Sequence, residues 1–185
     1  MAKLPIITAP DPRLKQSAAP VETVDDAVRR LLDDMLETMY AAPGIGLAAP
    51  QVGASKRVIV IDVSESEEEN RPLKLINPEL ISVSDDDLTY EEGCLSLPEH
   101  YADVARPRAI RLRYLDETGA AQELEAEGLL ATCIQHEIDH LDGILFVDRV
   151  SSIRRNVILR KLLKAKKNQD LPSYSELSMQ ETAGA

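Results

Sequence analysis

The apolar positions of residues 23–40, TVDDAVRRLLDDMLETMY, fall at Val24, Val28, Leu31, Met35 and Met39, in steps of three and four. That spacing lays one apolar stripe along a helix, with charge on the other face. Thr23 stands at the expected N-cap, acids fill the first turn, and Pro43-Gly44 stops the helix. The period then changes. RVIVIDV (57–63) is short, apolar and β-branched, which predicts a buried strand. LKLINPELISV resumes extended structure, with a break expected at Pro78.

Period-two patterning is clearest over 110–127. Ile110, Leu112 and Tyr114 alternate with Arg111 and Arg113; after DETG, Gln122, Leu124 and Ala126 alternate with Glu123, Glu125 and Glu127. This predicts an antiparallel hairpin with its Arg and Glu rows facing each other. From Leu129 to His140 the period is helical again. A last helix, 150–167, places Val150, Ile153, Val157, Leu159 and Leu162 near one face and seven Arg and Lys residues from Arg154 to Lys167 on the other. GIGLAAPQVG (44–53) reads as a loop, SESEEEN (64–70) as an acidic solvated loop, and 169–185 as a polar, flexible tail. With neither repeat nor linker, residues 1–168 are expected to form one domain.

Composition narrows the class. A formal net charge of −11 argues against a general nucleic-acid binder, and no specific DNA contact is expected. Two cysteines, Cys94 and Cys133, make no disulfide framework, so a reducing compartment is expected. No apolar run reaches the ~18 residues of a membrane span, and the proline-broken start is no secretory signal. The expected setting is the cytoplasm.

The chemistry lies in CIQHEIDH (133–140), which contains H-E-x-x-H. On a helix His136 and His140 share a face and can reach one metal ion, with Glu137 beside it as a base. In common peptidases the third ligand lies downstream, as a His six residues on or a Glu a few turns later. Here Phe146 stands six residues past His140, and no carboxylate occurs from Arg149 through Gln169. Two thiols lie upstream. Cys133, His136 and His140 on one rigid helix span ~10 Å at about 1.5 Å per residue, too far for metal bonds of ~2.0–2.3 Å. Cys94, in the separate loop EEGCLSLPEH, is the better ligand; Cys133 reads as a small apolar wall residue.

Three segments together, GIGLAAPQ (44–51), EGCLS (92–96) and QHEIDHLDG (135–143), resemble the motifs of bacterial peptide deformylases, in order. LPIITAPDPRL and the basic last helix are similar to that family too, so the resemblance spans about residues 4–167. It implies an α+β fold, with antiparallel strands packed around a central H-E-x-x-H metal-binding helix and helices at both ends. It also implies a metal-dependent hydrolase that removes the N-formyl group from the formylmethionine of new polypeptides. Cys94, His136 and His140 would hold the metal, and Glu137 would be the general acid and base. The Gln51 side-chain amide and the Leu95 backbone N–H would form the oxyanion site. Gly46 would meet the substrate backbone; Ile45, Leu129 and Cys133 would line the methionine pocket, with Tyr90 at its edge. Arg106 would pair with Glu92 and brace the Cys94 segment. His100 and Tyr101 are rim residues without a role.

The family favours Fe2+, while the ligand types also admit Zn2+, Ni2+ or Co2+. Formylmethionyl peptides and nascent chains are the expected partners, with ribosome contact through the basic helix 150–167. A metallopeptidase of unusual ligand order and a non-enzymatic metal- or ribosome-binding protein are the competing readings.

Overall fold

The computed structural model describes residues 2–65 and 70–168. Its order is α1 (Asp26–Ala41), β1 (Gly46–Ala48), β2 (Val58–Ile61), β3 (Leu73–Val83), β4 (Asp87–Cys94), β5 (Leu97–Pro107), β6 (Ala109–Leu115), β7 (Ala121–Glu127), α2 (Gly128–Leu141) and α3 (Ser152–Lys167). The strands form two antiparallel sheets, one of five strands in the order β1-β2-β3-β6-β7 and one of two, β4-β5. The fold is α+β.

β2 explains the layering. Its four residues are all buried, because the sheet is covered on both faces. Ile59 and Ile61 pack towards α2 with Leu75, Leu112, Ile134 and Ile138. Val58 and Val60 pack towards α1 with Val28, Leu32, Met35 and Met39. A third cluster joins Leu14, Leu97, Val104 and Phe146 to Ile158 and Leu162 of α3.

α2 lies between the sheets, and every residue from Ala131 to Leu141 is buried. Six of these are polar or charged: Thr132, Gln135, His136, Glu137, Asp139 and His140. Burial at that density demands partners for each group. Gly143 ends it in the left-handed region, φ 73°, where a Cβ would meet the Lys15 carbonyl oxygen at 2.6 Å.

Several expectations need correction. Asp25, not Thr23, caps α1, accepting from Val28 N–H at 2.9 Å. Residues 46–52 are no loop but β1 and a 3-10 turn, with Leu47, Ala48, Ala49 and Gln51 buried. Pro78 does not end its strand; β3 continues through a register shift beside Asn77, whose φ is 51°. Cys94 closes β4 of a hairpin rather than sitting in a loop. On α3 only Ile158 and Leu162 are buried, while Ile153 is 78% exposed, because the helix touches the body along one narrow edge. Arg111 does pair with Glu123 at 2.6 Å, but Arg113 turns to Glu79 on β3 at 2.9 Å. The acidic segment 64–70 lies partly, and the tail 169–185 wholly, outside the described residues.

Candidate metal centre and cleft

Four elements converge on one point. α2 supplies His136, Glu137 and His140, and the end of β4 supplies Glu92 and Cys94. The turn after β1 supplies Gln51, and β1 itself supplies Gly46. The Sγ of Cys94 and one ring nitrogen from each histidine all lie within 4.8 Å of one another, with Cys94 Sγ 3.2 Å from His140 Nε2. His136 Nδ1 is taken by Glu92 Oε2 at 2.8 Å, which leaves Nε2 for the centre and fixes the ring. Ser96 N–H and Gln51 Nε2 point at the sulfur at 3.4 and 3.5 Å. A cysteine sulfur and two imidazoles converging on one point are a donor set for a divalent ion. These residues fit one.

Around this point lies a cavity of about 420 Å³. Ile45, Gly46, Gln51, Tyr90, Cys94, Leu95, Leu129, Cys133, His136 and Glu137 all line it; His140, almost fully buried, stands behind. Gln51 is held at both ends: Oε1 accepts from Ala48 N–H at 2.9 Å, and Nε2 donates to Ser96 Oγ at 3.1 Å. Gly46 must be glycine here. A Cβ would stand 2.5 Å from Glu137 Oε1 and 2.9 Å from Cys133 Sγ. Cys133 contacts the Ile45 carbonyl at 3.6 Å and lies outside the donor triad.

A family model described as polypeptide deformylase matches residues 3–156. The chain belongs to the polypeptide deformylase family. It is 55% identical over 165 residues to the peptide deformylase of Rhizobium meliloti, covering 89% of this chain and 95% of that one. Among solved structures, a deformylase from Legionella pneumophila superposes with a TM-score of 0.84 at 44% identity, covering 91% of this chain and 98% of that one. The Ehrlichia chaffeensis deformylase in complex with actinonin gives a TM-score of 0.85 at 42% identity, covering 90% and 98%. This deformylase-family chain is therefore read as an enzyme.

Burial governs the charges of this deformylase-family site. It pushes Glu137 up to about 7, although His136 pulls the other way, and Glu137 Oε2 has no hydrogen-bond partner among the described residues. Burial lowers His140, with repulsion from His136 adding to it. For His136 burial acts downward too, but hydrogen bonds to Cys94 and Glu92 win and raise it. The Cys133 thiol is pushed up by burial.

Three contributors escaped the sequence reading. Ser96 sits within EGCLS and links Gln51 to the Cys94 segment. Phe146 stacks on the His136 ring, with centroids 6.2 Å apart. Asp139 reads as a spacer inside H-E-x-x-H, yet it accepts from both Arg106 and Arg149. Only the burial of α2, with its implied demand for partners, gave a signal. Tyr101, read as rim, lays its ring over Gly93, where a Cβ would be 2.6 Å away.

Proposed function

We propose that this chain hydrolyses the N-formyl group from the formylmethionine of newly made polypeptides, releasing formate. One observation carries the reading: Glu137, a buried carboxylate with a free oxygen, faces a cleft beside the donor triad. In this reading Cys94, His136 and His140 hold one divalent ion, taken as Fe2+ on family grounds, with Zn2+, Ni2+ or Co2+ as substitutes. The ion, when bound, supplies Lewis acidity and lowers the pKa of water.

The chain's own residues do the rest. Glu137 accepts the proton of the attacking water and later delivers it to the departing amine. Burial strengthens its hold on a proton relative to a free carboxyl, which favours taking one from water. Gln51 spends one N–H on Ser96 and keeps the other beside Cys94, where it donates to the developing oxyanion together with the Leu95 backbone N–H. Ile45, Tyr90, Leu129 and Cys133 receive the methionine side chain, and Gly46 admits the peptide backbone at close range. Arg106 braces Glu92 through two hydrogen bonds of 2.6 and 2.9 Å.

Residues 1–168 act as one catalytic domain in the cytoplasm. Among the described residues no helix is long and apolar enough to cross a membrane. The ligand set is tested by metal content. Cys94→Ser and His140→Ala should lose the ion while Cys133→Ala keeps it; metal loss in the Cys133 variant contradicts the assignment. Purified protein that cuts internal peptide bonds and leaves formyl-Met-Ala intact would favour the metallopeptidase reading instead.

A further inference from the structure

A line of charged groups runs from the surface to the back of His136, and the roles above leave its outer half unused. Arg149 grips Asp139 with two donors, Nε to Oδ2 and Nη2 to Oδ1, each at 2.5 Å. Arg106 Nη1 reaches the same Oδ2 at 2.8 Å. Arg106 then holds Glu92 at two points, and Glu92 Oε2 accepts from His136 Nδ1 at 2.8 Å. Side-chain exposure is 2% for Arg106, 5% for Glu92 and 8% for Asp139, but 42% for Arg149. Arg149 is thus the solvent end of a buried line.

Charge alternates along it, and the two arginines balance the two acids. Without Arg149, two buried carboxylates would share one guanidinium. Arg106 would be drawn towards Asp139, and its two-point hold on Glu92 would loosen. Glu92 in turn sets the His136 ring. The same short turn, Phe146–Arg149, also carries Phe146, whose ring lies 23° from parallel to the His136 imidazole. One turn therefore touches the face of the ring and anchors the line that fixes its edge.

We propose that Arg149 is a positioning residue for the metal centre, acting through Asp139, Arg106 and Glu92 to fix the orientation of His136. The proposal rests on His136 being a metal ligand. Outer partners of ligating histidines tune metal affinity by roughly 10–100-fold when removed, and Arg149, at the end of the line, belongs at the low end of that range. A lysine there keeps the charge but not the planar two-point fork, so it restores only part of the effect.

The test uses Co2+ as both ligand and reporter. Metal-free full-length protein, Arg149→Gln, Arg149→Lys and the surface control Arg113→Gln are titrated with Co2+ against a chelator, and the visible spectrum of each complex is recorded. Arg149→Gln should bind Co2+ roughly tenfold more weakly with altered absorption bands, Arg149→Lys should recover most of both, and Arg113→Gln should match the parent. A residue that only stabilises the fold would lower the melting temperature of the metal-free protein and leave affinity and spectrum alone. Parent-like affinity and bands in Arg149→Gln overturn the proposal while the metal site stands. Failure of the unsubstituted protein to bind one Co2+ per chain overturns the metal-site reading, and the proposal with it.

Discussion

Glu137 makes the site's conflict visible at the scale of one residue. Its carboxyl, ordinarily near 4.5, is held at about 7 chiefly by burial, so the fold prefers it protonated. A folded value above the unfolded one contributes stability that is complete below about pH 4.5 and is lost as pH rises through 7. At pH 8 the metal-free protein therefore carries a buried charge that costs up to ~3 kcal/mol. Glu137→Gln should raise the melting temperature of the metal-free protein at pH 8, and the gain should close towards pH 4.5. Melting curves of the two proteins that stay parallel across that range would contradict this. Such a residue, unfavourable for stability, is what a tuned acid and base requires.

At the scale of elements, the pair Glu92–Arg106 ties the β4–β5 hairpin to α2. Burial pushes Glu92 up, but hydrogen bonds from Arg106 and His136 outweigh it and hold the group below the usual range. Breaking a buried pair from one side strands a charge, which costs ~3–5 kcal/mol. Arg106→Met should lower stability in urea by about that amount, and adding Glu92→Gln should restore part of it. A loss under ~1 kcal/mol would mean that the pair is not held as described. The hairpin itself was invisible to periodicity. Over 87–107 buried positions include Glu92 and Arg106, and the exposed face includes Tyr101, so polar and apolar residues break the alternation that β6 and β7 keep. α1, β2 and α2 were legible because their burial follows one period or is complete. The place of Cys94 beside the two histidines was legible by elimination, since helix geometry rejected Cys133, and through the resemblance of EGCLS to a family motif. Arg149 and Phe146 were not, because a turn packed behind an imidazole leaves no spacing in the chain.

Across the whole molecule, charge is divided unevenly. The chain carries −11 overall, yet the exposed side of α3 bears Arg154, Arg160, Lys161, Lys164, Lys166 and Lys167. If that side meets ribosomal RNA, association should fall steeply with salt. Arg160→Glu with Lys164→Glu should then reduce co-sedimentation with ribosomes and leave turnover of a short formyl peptide unchanged. Ribosome binding that neither salt nor these substitutions alter would place the contact elsewhere. The central claim is tested most directly by measuring metal content and formate release from formyl-Met-Ala on one anaerobically purified sample of the protein and of Glu137→Ala. The expected result is one ion per chain in both, with formate released only by the unsubstituted protein. Formate release by Glu137→Ala at the parent rate, or none from the metal-loaded parent, would contradict the account.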